Sequence, residues 1–194
     1  IGPITVDNVP PDAVTAALVD DTGASESDKL TNDGTVQVDG AETGATVEYQ
    51  IDGGAWTVAP NGLFVLPEGL STVVNVRQTD LAGNVGPATN IGPITVDTDE
   101  PLPITAELED DTGDFDDDGI TSNPTVIVGG ADPDSTIEYS TDGGETWEEA
   151  ELDEDGNFDL PEGVHEEVLV RQVDEAGNPS EPVSLGPITI DTQL

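Results

Sequence analysis

The chain has 194 residues, 43 of them acidic and 3 basic, for a formal charge of −40 at pH 7. Such a surface repels nucleic acids and anionic membranes, which need Lys and Arg to displace their counterions, and it makes the chain a natural partner for cations. There is no cysteine and no run of 18 apolar residues, which excludes disulfide and thiolate chemistry and a membrane-spanning helix.

Methionine is absent as well, so we expect a segment of a longer chain. Ile1-Gly2-Pro3-Ile4-Thr5-Val6-Asp7 recurs as Ile91 to Asp97, and nearly so as Leu185-Gly186-Pro187-Ile188-Thr189-Ile190-Asp191. From Ile4 to Ile94 and from Ile94 to Ile188 the intervals are 90 and 94 residues. That is too long for a solenoid unit and suits a small self-contained domain. We therefore expect two tandem domains, residues 1–97 and 98–194, with residues 1–6 read as the closing strand of a preceding repeat. Asn8-Val9-Pro10-Pro11-Asp12 reads as a linker, because consecutive prolines remove donors and fix φ.

From Thr15 onward, short runs of β-forming residues alternate with Gly, Asn and Asp. The strands predicted in the first repeat are 15–19, 35–38, 46–51, 63–66, 73–79 and 91–96. In 46–51, Val47, Tyr49 and Ile51 share one face and Glu48 and Gln50 the other, the period of a half-buried strand. The second repeat follows the same plan at 105–109, 125–128, 136–141, 157–160, 167–173 and 185–190. No window has a helical period.

Turn segments match as closely as strands. Asp52-Gly53-Gly54 before Trp56 corresponds to Asp142-Gly143-Gly144 before Trp147, and Leu66-Pro67-Glu68-Gly69 to Leu160-Pro161-Glu162-Gly163. The run from Arg77-Gln78 through Asp80 to Ala82-Gly83-Asn84 corresponds to Arg171-Gln172, Asp174 and Ala176-Gly177-Asn178. Asp-Gly-Gly between two strands is a hairpin signal, since glycine accepts φ > 0 without strain. The expected fold is all-β: two tandem immunoglobulin-like Greek-key β-sandwich domains arranged end to end. The Cys…Trp…Cys pattern of antibody domains is missing, so the likeness is to the architecture.

With Asp20-Asp21-Thr22-Gly23 and Gly-Pro-Ile-Thr-Val-Asp added, these motifs resemble the bacterial immunoglobulin-like extender repeats of giant RTX-type adhesins, including ice-binding and biofilm adhesins. The resemblance covers essentially the whole chain, twice. It implies type I secretion, display at the cell surface through other parts of the parent chain, and long arrays rigidified by calcium between domains. The implied partners are neighbouring repeats and Ca2+, with neither nucleic acid nor membrane insertion, in a monomer.

Calcium takes six to eight oxygen ligands, so a site needs several carboxylates plus turn carbonyls. Three clusters offer them. The first is the linker, where Asp97 and Asp99 are expected near Asp20 and Asp21 of the first repeat. An ion there would also draw on Asp132, Asp134 and Asp174 at the incoming pole of the second. The competing reading is a solvated, flexible linker. The second is Asp114-Phe115-Asp116-Asp117-Asp118-Gly119, an Asp-x-Asp-x-Asp-Gly run closed by Asp110 or Asp111. Its twelfth position is Thr125 and no helices flank it, so an EF-hand is not expected. The third, from Glu148 to Asp155, reads as a solvated acidic loop.

The two arginines, Arg77 and Arg171, are expected to pair with Glu48 and Glu138 across strands. Trp56 and Trp147 read as packing over a sandwich edge. His165, placed in a predicted loop, has no partner histidine for zinc. No Gly-x-Ser-x-Gly elbow, phosphate loop or Cys–His pair occurs, so an enzyme is not expected. Three functions compete: a structural extender, a glycan- or protein-binding module, and an accessory non-catalytic domain of a secreted hydrolase.

Overall fold

The structure, a computed structural model, describes residues 2–113, 115 and 118–192. The chain divides into two compact units, the first running through Thr98 and the second starting at Asp99. Both are all-β sandwiches. Among the described residues there is no α-helix, only a 3-10 turn at Pro60–Gly62.

In the first unit, one layer pairs Thr15–Leu18 with Thr35–Asp39 and that with Leu63–Val65. The facing layer holds Thr57–Val58, Thr46–Ile51, Val74–Thr79 and Thr89–Asn90 in that order, and a third small sheet sets Ile94–Val96 between Leu30–Thr31 and Gly69–Ser71. Alternation decides what goes inside. Val74, Val76 and Gln78 are fully buried, while Asn75 and Arg77 point outward between them. Tyr49 of one layer stacks on Phe64 of the other, ring centroids 4.1 Å apart and 4° from parallel. With no disulfide to join the layers, this aromatic pair and the valines around it form the core.

The second unit repeats the plan with fewer interruptions. Gly163–Val173 and Val183–Ile190 each run unbroken where the first unit has two short strands. They sit in a five-stranded sheet with Ile120–Thr121, Thr136–Ser140 and Glu148–Glu149. Register shifts near Val168 let the long pair bend around the core. Tyr139 again stacks on Phe158 of the opposite layer, at 5.2 Å.

Every strand expected from the sequence is present within a few residues of its expected ends. Several two- and three-residue strands lie where none was expected, at Leu30–Thr31, Thr57–Val58, Gly69–Ser71, Ile120–Thr121 and Glu148–Glu149. His165 also departs from expectation. It lies on the Gly163–Val173 strand, 9% exposed, with Nε2 2.8 Å from the Pro161 carbonyl oxygen. Residues 2–9 form no strand, and the segment read as a linker is fastened at its end, because Pro11 is buried and the Asp12 carbonyl accepts from Gln78 Nε2.

Gln78 and Gln172 are fully buried polar side chains at matching places. Gln172 Oε1 accepts from Asp132 N–H and Ser135 Oγ, each at 2.8 Å, and Nε2 donates to Leu102 O at 2.7 Å. Gln78 makes the corresponding bonds to Glu42 N–H and Asp12 O, each at 2.8 Å. Each glutamine thus fastens the segment that leads into the first strand of its unit.

Candidate metal centres

The loop Asp20-Asp21-Thr22-Gly23 is wrapped around Thr31, a fully buried threonine. Thr31 Oγ1 donates to the Asp20 carbonyl and lies within hydrogen-bond distance of Thr22 N and Oγ1 and Asp33 N. Asp21 then turns inward, and its Oδ2 accepts the Lys29 N–H at 3.0 Å. The second unit copies this with Thr121, Asp110, Thr112 and Asp111, whose Oδ2 accepts the Gly119 N–H at 2.8 Å. Both donors sit in the left-handed region, Lys29 at φ 65° and Gly119 at φ 71°. That conformation suits glycine and strains lysine.

The other carboxylate oxygen is the unusual one. Asp21 Oδ1 and Asp111 Oδ1 are, among the described residues, the two buried side-chain polar atoms with no hydrogen-bond partner. Orphaned buried oxygens are costly, about 1–3 kcal/mol each. One lies at the same place in each unit, and a carboxylate oxygen left open in this way fits the donor chemistry of a hard cation.

The chain leaves the first unit beside the same loop. Ile94–Val96 pairs in parallel with Leu30–Thr31, and Asp97 N–H donates to Thr31 O at 2.9 Å. Asp20, Asp21 and Asp97 are therefore brought to one pole through Thr31. The equivalent bond in the second unit runs from Asp191 N–H to Thr121 O, also 2.9 Å. Glu68, which the sequence analysis treated only as part of a repeated turn, joins this pole. Among the described residues, the one group of three carboxylates whose oxygens lie within 4.8 Å of one another is Glu68, Asp97 and Asp99 on the exit peptide. The signal that would have found it was the match of Glu68 with Glu162 alongside that of Thr98 with Thr192.

The remaining candidates are spent differently. Asp174 is bound into its own turn, accepting Asn178 N–H at 2.8 Å and Asn178 Nδ2 at 3.0 Å, as Asp80 does with Asn84. The Asn84 side chain and the turn N–H groups outweigh partial desolvation and hold Asp80 below its ordinary range. Asp132 lies over Gln172, to which its N–H donates, and Asp134 is exposed. Asp118 caps its neighbourhood by accepting Ile120 N–H, and the Asp110 carbonyl is taken by Thr121. Asp114 and Asp116 lie outside the described residues. The acidic run from Glu148 lines an open groove floored by Tyr139 and Phe158. Burial, then the Glu148 carboxylate it bonds at 3.0 Å, pushes the Tyr139 phenol up.

Among the described residues, the Asp142-Gly143-Gly144 hairpin of the second unit carries the largest carboxylate shift. Asp142 Oδ2 accepts from Thr146 Oγ1 at 2.6 Å, and Oδ1 accepts from Thr146 N–H and Ser140 Oγ at 2.9 and 2.7 Å. These bonds, the Thr146 hydroxyl foremost, lower its pKa to about 2. A depressed carboxylate stabilises the fold above its ordinary value of 3.8, and that contribution is lost as pH falls through about 2. We expect Asp142 to titrate near 2 in carboxyl-detected NMR, with the Thr146 amide losing protection in the same window. A midpoint near 3.8 would mean that the hairpin is not wired this way in solution.

Each arginine pairs as the sequence suggested. Arg77 Nε lies 3.0 Å from Glu48 Oε2, and an Arg171 nitrogen lies 2.7 Å from Glu138 Oε2. The tryptophans do more than cover an edge. Each guanidinium stacks at 3.9 Å over the ring of Trp56 or Trp147.

Fold and site together define a pair of immunoglobulin-like β-sandwich units with carboxylate-rich poles. Residues 100–192 match the family model described as "Bacterial Ig-like domain". Among solved structures, the chain is similar to the fibronectin(III)-like modules of Clostridium thermocellum CbhA. Identity is 13% and the TM-score 0.50, over 93% of this chain and 96% of that one. At that identity the likeness speaks for the fold alone. No curated protein matches the chain. Domains of these two kinds are generally non-catalytic.

Proposed function

We propose that the chain is a structural extender, a non-catalytic segment of a large secreted cell-surface adhesin of the RTX type, exported by type I secretion. Calcium stiffens it so that it projects distal adhesive domains, as in biofilm formation. The observation that supports this reading best is the orphaned carboxylate oxygen present in both units, Asp21 Oδ1 and Asp111 Oδ1. A second carboxylate group at the exit, Glu68 with Asp97 and Asp99, adds to it.

In this reading the residues that would hold calcium are Asp21 and Asp111 in the loops and Glu68, Asp97 and Asp99 at the joint. The ion's contribution is charge neutralisation. Two carboxylates about 7 Å apart in water repel by roughly 0.6 kcal/mol before salt screening, and a chain of charge −40 carries many such pairs. Inside a cell calcium is scarce and the segment stays loose for export; outside, it stiffens. Its partners are neighbouring repeats of the same chain.

Small-angle scattering with and without EGTA tests this. Chelation is expected to broaden the distribution of interatomic distances and blur its maximum. An unchanged distribution would end the calcium-stiffening reading and leave two sandwiches on a fixed or loose string.

A further inference from the structure

Each unit closes with the same small device. Thr98 Oγ1 donates to Glu68 Oε2 at 2.5 Å, and Thr98 N–H lies 3.2 Å from both oxygens of that carboxylate. In the second unit Thr192 Oγ1 donates to Glu162 Oε2 at 2.6 Å, with its N–H at 3.4 Å. The glutamates are presented by Leu-Pro-Glu-Gly turns whose leucines, Leu66 and Leu160, are 3% exposed and belong to the two cores. The carboxylate is therefore held by a buried neighbour two residues away, and hydroxyl and amide converge on it in a charge-assisted pair.

A single exposed hydrogen bond would stabilise little. Here two donors of one residue meet one carboxylate, and the arrangement recurs in a second unit whose surrounding strands differ. At the other end, Gln172 Nε2 fastens Leu102 O to the second unit. Three residues, Asp99, Glu100 and Pro101, separate the Thr98 anchor from the Leu102 anchor. Pro101 fixes its own φ and confines Glu100 to extended conformations.

We propose that the Glu68–Thr98 pair, and Glu162–Thr192 likewise, is a metal-independent exit clamp. It ends each unit one residue past its final aspartate and limits the joint to three residues before any cation binds. Glu68 acts here as a positioning residue for the chain's exit. This inference rests on the extender reading, within which it assigns the protein's own share of the joint.

Nitrogen-15 relaxation of the 194-residue chain in EGTA tests it, with Glu68→Ala and Glu68→Gln compared. The Thr98 amide is expected near the ~0.85 order parameter of rigid backbone, falling below about 0.6 in Glu68→Ala. Glu68→Gln keeps an acceptor for the threonine hydroxyl and is expected to restore most of that order. Strand amide shifts confirm that both units remain folded. An order parameter at Thr98 that is already below ~0.6 in the unaltered chain, or that Glu68→Ala leaves unchanged, would overturn the clamp. Both substitutions remove the carboxylate from the group with Asp97 and Asp99. A calcium response lost in both variants, with order at Thr98 lost only in Glu68→Ala, therefore separates clamp from metal site. If the clamp fails while EGTA still broadens the scattering, the calcium reading stands without it.

Discussion

Replacing Gln172 by alanine is expected to cost the second unit about 2–4 kcal/mol, because two groups lose their partner inside the protein and a buried side chain is emptied out. Those groups are Leu102 O and Asp132 N–H, while Ser135 Oγ keeps its bond to Asp132 O at 2.9 Å, and the side chain that serves them is fully buried. A loss of that size is a large part of the 5–15 kcal/mol that holds a typical domain together. Urea unfolding followed by NMR should show the strand resonances of the second unit melting early. Those of the first unit, whose own Gln78 is untouched, should keep their midpoint. Gln172→Glu would also destabilise, since a carboxylate has no proton for Leu102 O and brings a charge into a buried place. A shift below about 1 kcal/mol would mean that water replaces the amide, and that the segment starting at Leu102 is fastened by something else.

Calcium should raise the unfolding midpoint of both units, by about 2.7 kcal/mol at a free concentration 100 times the dissociation constant. Asp111→Asn is the informative variant. In EGTA it exchanges an orphaned oxygen for an orphaned amide of the same shape, so stability should move by less than about 1 kcal/mol. In calcium the second unit should lose its gain while the first keeps it, and Asp21→Asn should do the converse. If Asp111→Asn responds to calcium as the unaltered chain does, the buried oxygen has another purpose. If the variant is instead strongly destabilised in EGTA, Asp111 matters through its bond to Gly119 N–H rather than through a cation.

Much of this was legible in advance. The recurrence of Ile-Gly-Pro-Ile-Thr-Val-Asp marked two copies of one unit, and alternation in 46–51 put Val47, Tyr49 and Ile51 on one face, the face that packs on the core. The Arg–Glu pairs followed from placing two strands side by side, and Glu48 does lie opposite Arg77 and Glu138 opposite Arg171. The short strands were not legible. Two residues such as Leu30–Thr31 cannot display a period of two, and they are strands only because Ile94–Val96 runs beside them. His165 was misplaced for a related reason. The strand expected at 167–173 begins only at Glu167, because Glu166 and Glu167 side by side break the alternation, yet the long pairing with Val183–Ile190 extends it back to Gly163.

The candidate site divides along the same line. The abundance of aspartate and its clustering after the first and last strands were properties of the sequence, because they depend only on which residues occur and where. How each carboxylate is engaged was decided by folding. Asp174 is consumed by its own turn, whereas Asp21 is wrapped around Thr31 until one oxygen has no partner. Glu68 reaches Thr98 across 30 residues of chain. Local pattern reports which way a side chain faces within its own strand. Contact between distant turns is set by how two layers close on a shared core, and no window of sequence contains that information.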